Sequence, residues 1–486
     1  MSLIRRTLVA LLLGSLVPAA VSNISAAESA PAPATAPRPN IVLLLVDDAT
    51  VNDMRAMPRV KRLIGRAGAT FDNSFSTSPL CCPARASILT GQYPHNHGVL
   101  TNGVTAGGGF PAFDDDRALP VWLKRSGYAT GFVGKYLNGY GEDRPRYAPP
   151  GWSDWKGSTD PQTYSYYNQR LSENGSLHRY PGVYATHLAA RKTRGFIKKY
   201  APRPGPFFYW TSFVAPHNGG PREPGDPLVT DPNGLATPAV SPAYRNFYAD
   251  VPLPRDESFN ESDVSDKPSR IADRPLLDKR DIAQIREQYQ QRLESLRSVD
   301  DAVASIITTL REVNQLANTL VVFTSDNGWM SGQYRGVGKT LPYEPSIRVP
   351  LLVRGPGVPR GIRVQQTAAT IDLAPTMMDT ANATANLTMD GRSLLPLMND
   401  PASTSPRNLV LEIGNESKAG VYLYRGLRTP NWTYVEYHTG EKELYDVRSD
   451  RFQVSNLHGR PEYTDIERSL ADELAVLREC AGAACR

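Results

Sequence analysis

Four short and almost uninterrupted apolar runs stand out along the chain, at residues 40–46, 128–133, 207–213 and 320–323. Such runs are typical of strands buried on both faces of a parallel sheet, because neither face then has to be polar. From Asp281 onward, apolar residues instead recur every three or four positions, which predicts one long packing helix. These patterns together predict an α/β fold.

Shorter patterns complete the predicted elements. Helices are expected at 119–126, 371–380 and 466–477, and a further strand is expected at 351–353. Beyond about residue 405, short runs at 409–413, 422–425 and 432–437 indicate an antiparallel sheet in a smaller C-terminal subdomain. Residues 218–275 are predicted to form a long surface excursion. The tyrosine- and tryptophan-rich segments 147–155 and 164–180 are interpreted as loops. Two interpretations of these loops stay open: they line a carbohydrate-binding surface, or they are ordinary connections.

Polar residues that are capable of catalysis or metal binding follow each of the four apolar runs. They are Asp47, Asp48, Lys135, His217, Asp326 and Asn327. Ligands of open α/β sheets bind outside the carboxyl ends of the strands, so we expect these side chains to share one crevice. Three carboxylates and one amide form an oxygen-only set, which suits calcium or magnesium better than zinc.

Each of these residues also has a simpler interpretation. Asp48 alone could cap a helix that begins near Val51, although two adjacent carboxylates are costly to bury without a cation or arginines. Lys135 could be a solvated surface lysine, and His217 could be a hydrogen-bonded loop residue. The case for a site therefore depends on all four runs ending in such residues, and not on any one of them.

A separate motif lies at residues 78–91, which read Ser-Pro-Leu-Cys-Cys-Pro-Ala-Arg-Ala-Ser-Ile-Leu-Thr-Gly. Pro83 suits the start of a helix, and Gly91 suits its end. Cys81 would lie at the positive end of that helix with Arg85 nearby. This placement predicts an anion site and a thiol with a depressed pKa.

Composition limits the functional classes. The 486 residues carry a formal net charge of only +5, which does not favour a nucleic-acid binder. Residues 1–27 resemble a cleaved signal peptide, with Arg5-Arg6 before an apolar run that is too short to span a bilayer. Residues 28–39 are predicted to be a disordered linker. These features favour a secreted or periplasmic protein without stable membrane insertion.

Four cysteines are present, at positions 81, 82, 480 and 485. In an exported protein, Cys480 and Cys485 are expected to form a small structural disulfide. Adjacent cysteines lack the two-residue spacer of zinc sites, so a zinc centre is not expected.

The motif Cys81-x-Pro83-x-Arg85, followed by four residues and Thr90-Gly91, resembles the signature of the type I sulfatases. Residues 134–138 and 215–217 are most similar to the N-acetylglucosamine-6-sulfatase branch. The resemblance implies an alkaline-phosphatase-like α/β/α sandwich around a large mixed sheet at 40–400, with a subdomain of a short antiparallel sheet and a terminal helix at 401–486. It also implies that a formylglycine-generating enzyme converts Cys81 to 3-oxoalanine (formylglycine).

The same resemblance assigns roles to individual residues. The implied ligands of Ca²⁺ or Mg²⁺ are Asp47, Asp48, Cys81, Asp326 and Asn327. The implied catalytic residues are Cys81, Arg85, Lys135, His217, Asp326 and Lys339. Two positions depart from the family pattern: Leu137 stands where many arylsulfatases have a histidine, and Gln453 stands in a C-terminal motif that usually has a glutamate.

The implied reaction is hydrolysis of a sulfate ester on a sulfated small molecule or glycan. A hydroxyl of the hydrated formylglycine attacks sulfur, with Asp326 as base. Lys135, Lys339 and Arg85 offset the sulfonyl charge, and His217 protonates the departing alcohol. Two alternatives stay open: a phosphate or phosphonate monoester hydrolase on the same fold, and a silent metal-dependent binding protein in which Cys81 stays a thiol.

Overall fold

The computed structural model of the protein describes residues 10, 38–224, 226, 235–404 and 406–486. The predicted signal peptide at 1–27 and the linker at 28–39 lie outside the described residues, apart from residues 10, 38 and 39. The described residues from 38 onward form one compact unit. The predicted boundary near residue 400 stays a prediction.

Strands account for most of the predicted apolar runs. In chain order they are β1 (Asn40–Val46), β2 (Ala69–Phe71), β3 (Ser74–Phe75), β4 (Ala129–Gly134), β5 (Asp154–Ser158), β6 (Asn168–Glu173), β7 (Ser176–Pro181), β8 (Phe207–Ser212), β9 (Thr319–Ser325), β10 (Met330–Ser331), β11 (Val337–Gly338), β12 (Leu351–Arg354), β13 (Ile362–Val364), β14 (Ala368–Ala369), β15 (Leu409–Gly414), β16 (Tyr422–Arg428), β17 (Trp432–Tyr437) and β18 (Lys442–Asp446).

Helices cover the sheet and connect its strands. In chain order they are α1 (Pro58–Val60), α2 (Cys81–Thr90), α3 (Pro94–His97), α4 (Leu119–Arg125), α5 (Ala185–Tyr200), α6 (Ser269–Ala272), α7 (Lys279–Glu312), α8 (Glu344–Ile347), α9 (Leu373–Thr380), α10 (Leu395–Asn399) and α11 (Thr464–Leu477). Among the described residues, no helix combines the length and the apolar character needed to cross a lipid bilayer.

The main sheet has ten strands in the order β13-β2-β12-β9-β1-β8-β4-β5-β6-β7. Its centre is parallel, because β1 pairs in parallel with both β8 and β9, and β4 pairs in parallel with β8. Antiparallel pairings occur toward both edges, between β9 and β12 and between β5, β6 and β7. The sheet is therefore mixed, and the carboxyl ends of its four central strands lie at one edge.

Apolar side chains of β1 are buried on both faces of the sheet. Ile41, Leu43 and Leu45 pack in one core cluster with side chains of α2, α4 and α9, whereas Val42, Leu44 and Val46 pack in a second cluster with side chains of α5 and α7. Each fully buried aliphatic side chain contributes about 1.5–3 kcal/mol, which explains why the run has no polar position after Asn40. The predicted α/β/α sandwich is confirmed.

The C-terminal part contains the antiparallel sheet β15-β16-β17-β18 and the helix α11. A third core cluster joins these strands to Leu470 and Leu474 of α11. Cys480 and Cys485 form a disulfide with a Cα–Cα distance of 5.3 Å, as the cysteine spacing predicted. The predicted antiparallel sheet, terminal helix and disulfide are confirmed.

The interpretation of segment 164–180 as a loop was wrong, whereas segment 147–155 is a loop up to residue 153. Residues 154–158 form β5, and residues 168–181 form the hairpin of β6 and β7 at the edge of the main sheet. Trp155 is fully buried and stacks on Phe132 with ring centroids 4.6 Å apart. Trp152, Trp155 and Tyr166 extend the core, whereas Tyr147, Tyr164, Tyr167 and Tyr180 are only partly buried.

Candidate active site

Four neighbouring strands place their carboxyl ends side by side, in the order β9-β1-β8-β4. Asp47 and Asp48 follow β1, Lys135 follows β4, and Asp326 with Asn327 follows β9. His217 comes five residues after β8. The structure therefore brings together the polar residues that the sequence placed after separate strands, although their chemical roles stay predictions.

Three carboxylates form the centre of this cluster. Oxygen atoms of Asp47, Asp48 and Asp326 lie within 4.8 Å of one another, and all three residues have 0% exposure. Asp48 adopts a left-handed backbone conformation with φ 73°, and its backbone N–H donates to Oδ1 of Asp326 at 3.1 Å. It caps no helix, because the turn that begins at Asn52 has Val51 at its N-terminal end.

Two buried oxygen atoms in the cluster have no hydrogen-bond donor among the described residues. They are Oδ2 of Asp48 and Oδ1 of Asn327. Because an unpaired buried oxygen is costly, and because carboxylate and amide oxygens are preferred by Ca²⁺ and Mg²⁺, the donor set fits a hard divalent cation. Asp47, Asp48, Asp326 and Asn327 are the residues that could hold it.

Two lysines supply positive charge to the cluster. Lys135 is 1% exposed, and its Nζ donates to Oδ2 of Asp47 at 2.6 Å, so it is not a surface lysine. Lys339, which follows β11, pairs with Asp48 and donates to Sγ of Cys81 at 2.7 Å. Although burial opposes ionisation, Lys135 and His217 together lower the pKa of Asp47 to about 2.

Cys81 begins α2, and its side chain points into the carboxylate cluster. Its Sγ lies 3.4 Å from Oδ1 of Asp47 and 3.9 Å from Oδ1 of Asp48. Burial, followed by the charge of Asp47, raises the pKa of the thiol to about 12. The expected depression of this pKa was therefore wrong, because desolvation and the nearby carboxylate outweigh the helix terminus.

Cys82 has a different environment from its neighbour. Its side chain is fully buried in the apolar cluster that also contains Phe132 and Trp210, while its backbone N–H donates to Oδ1 of Asn102 at 2.8 Å. The geometry therefore separates the two cysteines: Cys81 faces the polar cluster and Cys82 faces the core.

Arg85 connects α2 to three of the strand ends. Its Nε donates to Oδ2 of Asp326 at 2.8 Å, and its NH1 donates to the Lys135 carbonyl at 2.7 Å and to Oγ of Ser212 at 2.8 Å. The side chain has 0% exposure. Such a fixed fork suits a guanidinium better than an ammonium group, and it fixes the helix that carries Cys81.

His217 lies at the outer side of the cluster, with its side chain 17% exposed. Its Nδ1–H donates to the Asn218 carbonyl at 2.7 Å, which directs Nε2 toward Oδ2 of Asp48, 3.7 Å away. Burial lowers its pKa, although Asp47 and Asp48 act in the opposite direction. This arrangement can exchange a proton with an oxygen atom bound beside Asp48.

Arg292 contacts the site, although the sequence gave α7 only a packing role. Its side chain is 2% exposed, and its NH2 donates to the Asp48 carbonyl at 2.5 Å and to Oδ2 of Asp53 at 3.0 Å. Its NH1 donates to the Pro216 carbonyl at 3.4 Å. A charged residue directly before Leu293 on the apolar face of the helix was the signal for this role.

Leu137, which replaces the histidine of many arylsulfatases, is 2% exposed and lies in the apolar core. It therefore offers no polar contact at the position where the family pattern has one. The next residue, Asn138, instead donates from Nδ2 to the hydroxyl of Tyr164 at 3.0 Å. Like Arg292, Tyr164 is a residue near the site that sequence reasoning missed; the sequence placed it in a loop.

Two protein-family models match the chain. The model described as Sulfatase matches residues 39–383, and the model described as N-sulphoglucosamine sulphohydrolase, C-terminal, matches residues 332–480. An arylsulfatase from Volvox carteri is 31% identical over 92% of this chain and 76% of its own length. The N-acetylglucosamine-6-sulfatase of Homo sapiens is 32% identical over 92% of this chain and 86% of its own length.

The fold also matches solved structures. One, a complex with the substrate D-glucosamine-2-N,6-O-disulfate, has a TM-score of 0.71 and 23% sequence identity, and the match covers 90% of this chain and 97% of that chain. At 23% sequence identity, the structural similarity concerns the fold alone. The arrangement of the main sheet and the C-terminal sheet is therefore shared with that protein.

Proposed function

This chain belongs to the sulfatase family and hydrolyses sulfate esters, and we propose that its substrate is a sulfated sugar of the N-acetylglucosamine 6-sulfate type. The observation that supports this choice is the similarity to the human N-acetylglucosamine-6-sulfatase, which extends over 92% of the chain. Aryl sulfates are included as simpler substrates of the same chemistry.

Formylglycine at position 81 is the nucleophile in this proposal: its hydrated aldehyde supplies a hydroxyl that attacks sulfur. The orientation of Cys81 supports the assignment, since its Sγ lies among the charged groups and the Cys82 side chain lies in the apolar core. The resemblance to the family signature supports it independently. Conversion of Cys81 requires a formylglycine-generating enzyme in the host.

Asp47, Asp48, Asp326 and Asn327 would hold a divalent cation, Ca²⁺ or Mg²⁺, together with the modified side chain at position 81. When bound, the cation would neutralise charge that develops on the oxygens of the sulfate. The buried oxygens of Asp48 and Asn327 that lack hydrogen-bond donors support this ligand set.

The chain's own residues carry the remaining steps. The Lys135 and Lys339 ammonium groups bind the sulfonyl oxygens and offset their charge. The His217 imidazolium, protonated on both ring nitrogens, gives the proton on Nε2 to the alcohol oxygen as the S–O bond breaks. The role of Asp326 as base has less support, because its carboxylate already accepts hydrogen bonds from Arg85, Asp48 and Asn327.

Mass spectrometry of the tryptic peptide that carries Cys81 and Cys82 tests the nucleophile. We expect an aldehyde at position 81, recognised by reaction with a hydrazine reagent, and a thiol at position 82, recognised by alkylation. If both thiols are alkylated in active protein, the proposed mechanism is wrong. If both thiols are alkylated in protein that shows no turnover, the alternative of a metal-dependent binding protein is favoured.

A comparison of sulfate and phosphate esters of the same alcohol tests the reaction class. The proposal predicts a larger kcat/KM for N-acetylglucosamine 6-sulfate than for the corresponding phosphate. Faster turnover of the phosphate, or of a phosphonate monoester, would favour the alternative hydrolase. Because the alcohol is the same in each pair, the comparison isolates recognition of the anionic group.

We also propose that the protein is exported after cleavage of the signal peptide at residues 1–27. The disulfide between Cys480 and Cys485 supports this location, because disulfides persist in oxidising compartments. Fractionation of cells that produce the full chain, with N-terminal sequencing of the product, tests the proposal. An uncleaved protein in the cytoplasm would contradict it.

A further inference from the structure

Tyr164 lies beside the candidate proton donor, in a turn that the sequence had assigned to a loop. Its ring stacks on the imidazole of His217, with ring centroids 4.4 Å apart and an interplanar angle of 25°. Nζ of Lys135 lies 4.9 Å from the centroid of the same ring. The tyrosine therefore contacts two of the residues to which the proposed function gives chemical roles.

The turn that carries Tyr164 is held in place by hydrogen bonds on both sides of the residue. Nε2 of Gln169 donates to the Thr163 and Ser165 carbonyls, each at 2.8 Å. The Tyr164 hydroxyl accepts the hydrogen bond from Asn138 at 3.0 Å. Because the ring is fixed at its backbone and at its hydroxyl, it can act as a rigid surface for a neighbouring side chain.

The imidazole of His217 is restrained from several directions. Its Nδ1–H donates to the Asn218 carbonyl, and the His217 carbonyl accepts a hydrogen bond from the Tyr166 hydroxyl at 2.7 Å. These bonds fix the backbone and one ring nitrogen, whereas the stacked ring of Tyr164 limits rotation of the imidazole plane. Without that ring, Nε2 could turn away from Asp48.

We propose that Tyr164 is a positioning residue, whose ring holds the imidazole of His217 so that Nε2 faces the oxygen of the departing alcohol. The inference rests on the proposed function, in which the S–O bond breaks with its electron pair on the alcohol oxygen and this oxygen takes the proton from Nε2. A displaced imidazole would perform this transfer poorly, because proton transfer requires hydrogen-bond distance.

Leaving-group dependence provides the test. The alcohol of N-acetylglucosamine 6-sulfate needs a proton as it departs, whereas the phenolate of 4-nitrophenyl sulfate departs without one. We expect Tyr164→Leu to lower kcat on the sugar sulfate by about 10- to 100-fold, with a much smaller change in KM and little change on the aryl sulfate. Tyr164→Phe keeps the ring and should stay close to wild type on both substrates.

A double-mutant cycle tests whether Tyr164 acts through His217. We expect His217→Gln to lower kcat on the sugar sulfate by about 10²- to 10⁴-fold. If Tyr164 acts only by holding the imidazole, adding Tyr164→Leu to that variant should cause no further loss. Tyr167→Leu is the matched control, because Tyr167 lies in the same region and its hydroxyl donates to the Val240 carbonyl. The Tyr167→Leu variant should keep the wild-type activity on each of the two substrates.

Each other outcome overturns the inference. Equal losses on both substrates would show that Tyr164 acts through Lys135 or through the fold, and thermal unfolding of each variant separates these two cases. A raised KM with unchanged kcat would make Tyr164 a substrate contact instead. If wild type hydrolyses neither ester, the proposed function fails and the inference fails with it, whereas an active wild type with an unaffected Tyr164→Leu variant refutes only the inference.

Discussion

Replacement of Arg292 by methionine should destabilise the protein and weaken the cation site at the same time. The arginine reaches from α7 to the backbone on both sides of the site, at the Asp48 and Pro216 carbonyls, and it pairs with Asp53. Methionine replaces the aliphatic stem of the arginine, but it is shorter and donates no hydrogen bond. The substitution therefore removes the charge and the donors and keeps the packing of the stem.

The size of the effect follows from burial of the pair. Side chains of Arg292 and Asp53 are 2% and 3% exposed, and removal of one partner from a buried ion pair costs about 3–5 kcal/mol. Oδ2 of Asp53 keeps a hydrogen bond from the Thr50 N–H at 2.9 Å, which favours the lower end of that range. Two carbonyls that lose a donor add about 1 kcal/mol each, so we expect about 5 kcal/mol in total.

Urea unfolding of Arg292→Met and wild type at one fixed calcium concentration measures this loss. Arg286→Met is the matched control, because Arg286 is an exposed residue of the same helix and its replacement should change stability by less than about 0.5 kcal/mol. Asp53→Asn in the Arg292→Met protein removes the unpaired charge and should recover about 2 kcal/mol. A loss below about 1 kcal/mol, or no recovery, would refute the argument from the buried pair.

The same variant tests the link between Arg292 and the cation. Asp48 holds a left-handed backbone conformation, and its carbonyl loses its Arg292 donor in the variant. We therefore expect the calcium concentration for half-maximal activity to rise by about 10-fold or more, as for other residues that orient metal ligands. An unchanged calcium requirement in a destabilised variant would limit Arg292 to a structural role.

Three further predictions concern the nucleophile, the cation and a distant histidine. Cys81→Ala should abolish turnover without lowering the unfolding temperature, whereas Cys82→Ala should keep most activity; equal loss with normal conversion of Cys81 would mean that the two were assigned wrongly. EDTA should abolish activity and lower the unfolding temperature, since a bound ion at 100 times its Kd stabilises by about 2.7 kcal/mol, and added Ca²⁺ should restore both. Burial opposes a charge on His95, but the hydrogen bond to Glu412 at 2.7 Å, the charge of Glu412 and the hydrogen bond to the Cys480 carbonyl together outweigh burial and raise the pKa of His95. This stabilisation is present below about pH 6.5 and is lost as the pH rises through the folded pKa, so His95→Gln should lower the unfolding temperature more at pH 5.5 than at pH 8.5.

The strand-end residues could be predicted from sequence because their positions follow from local rules. Runs such as 40–46 have only one suitable place, the centre of a sheet that is covered on both faces. Once several of these strands are parallel and adjacent, the residues that follow them must lie at the same edge. No knowledge of the loops was needed to bring Asp47 and Lys135 together.

The aromatic segments could not be predicted in the same way, because their environment depends on pairing with distant strands. β5 has a short mixed sequence, Asp-Trp-Lys-Gly-Ser, that carries little strand signal by itself. Its place is fixed by pairing with β4 on one side and β6 on the other. The Trp155 side chain then reaches the core, where Phe132 and Tyr140 contact it.

The environment of position 81 shows how a distant contact reverses a local rule. A helix N-terminus and a nearby arginine favour an anion, but Arg85 directs its Nε and NH1 donors to Asp326, Lys135 and Ser212. The atoms nearest to Sγ of Cys81 instead include the carboxylate of Asp47 and the ammonium of Lys339. A thiolate there would face a carboxylate 3.4 Å away, whereas an uncharged hydroxyl could donate a hydrogen bond to the same oxygen. Burial and the Asp47 carboxylate therefore outweigh the Lys339 ammonium and raise the pKa of the Cys81 thiol, which disfavours the thiolate that the sequence of α2 alone suggests.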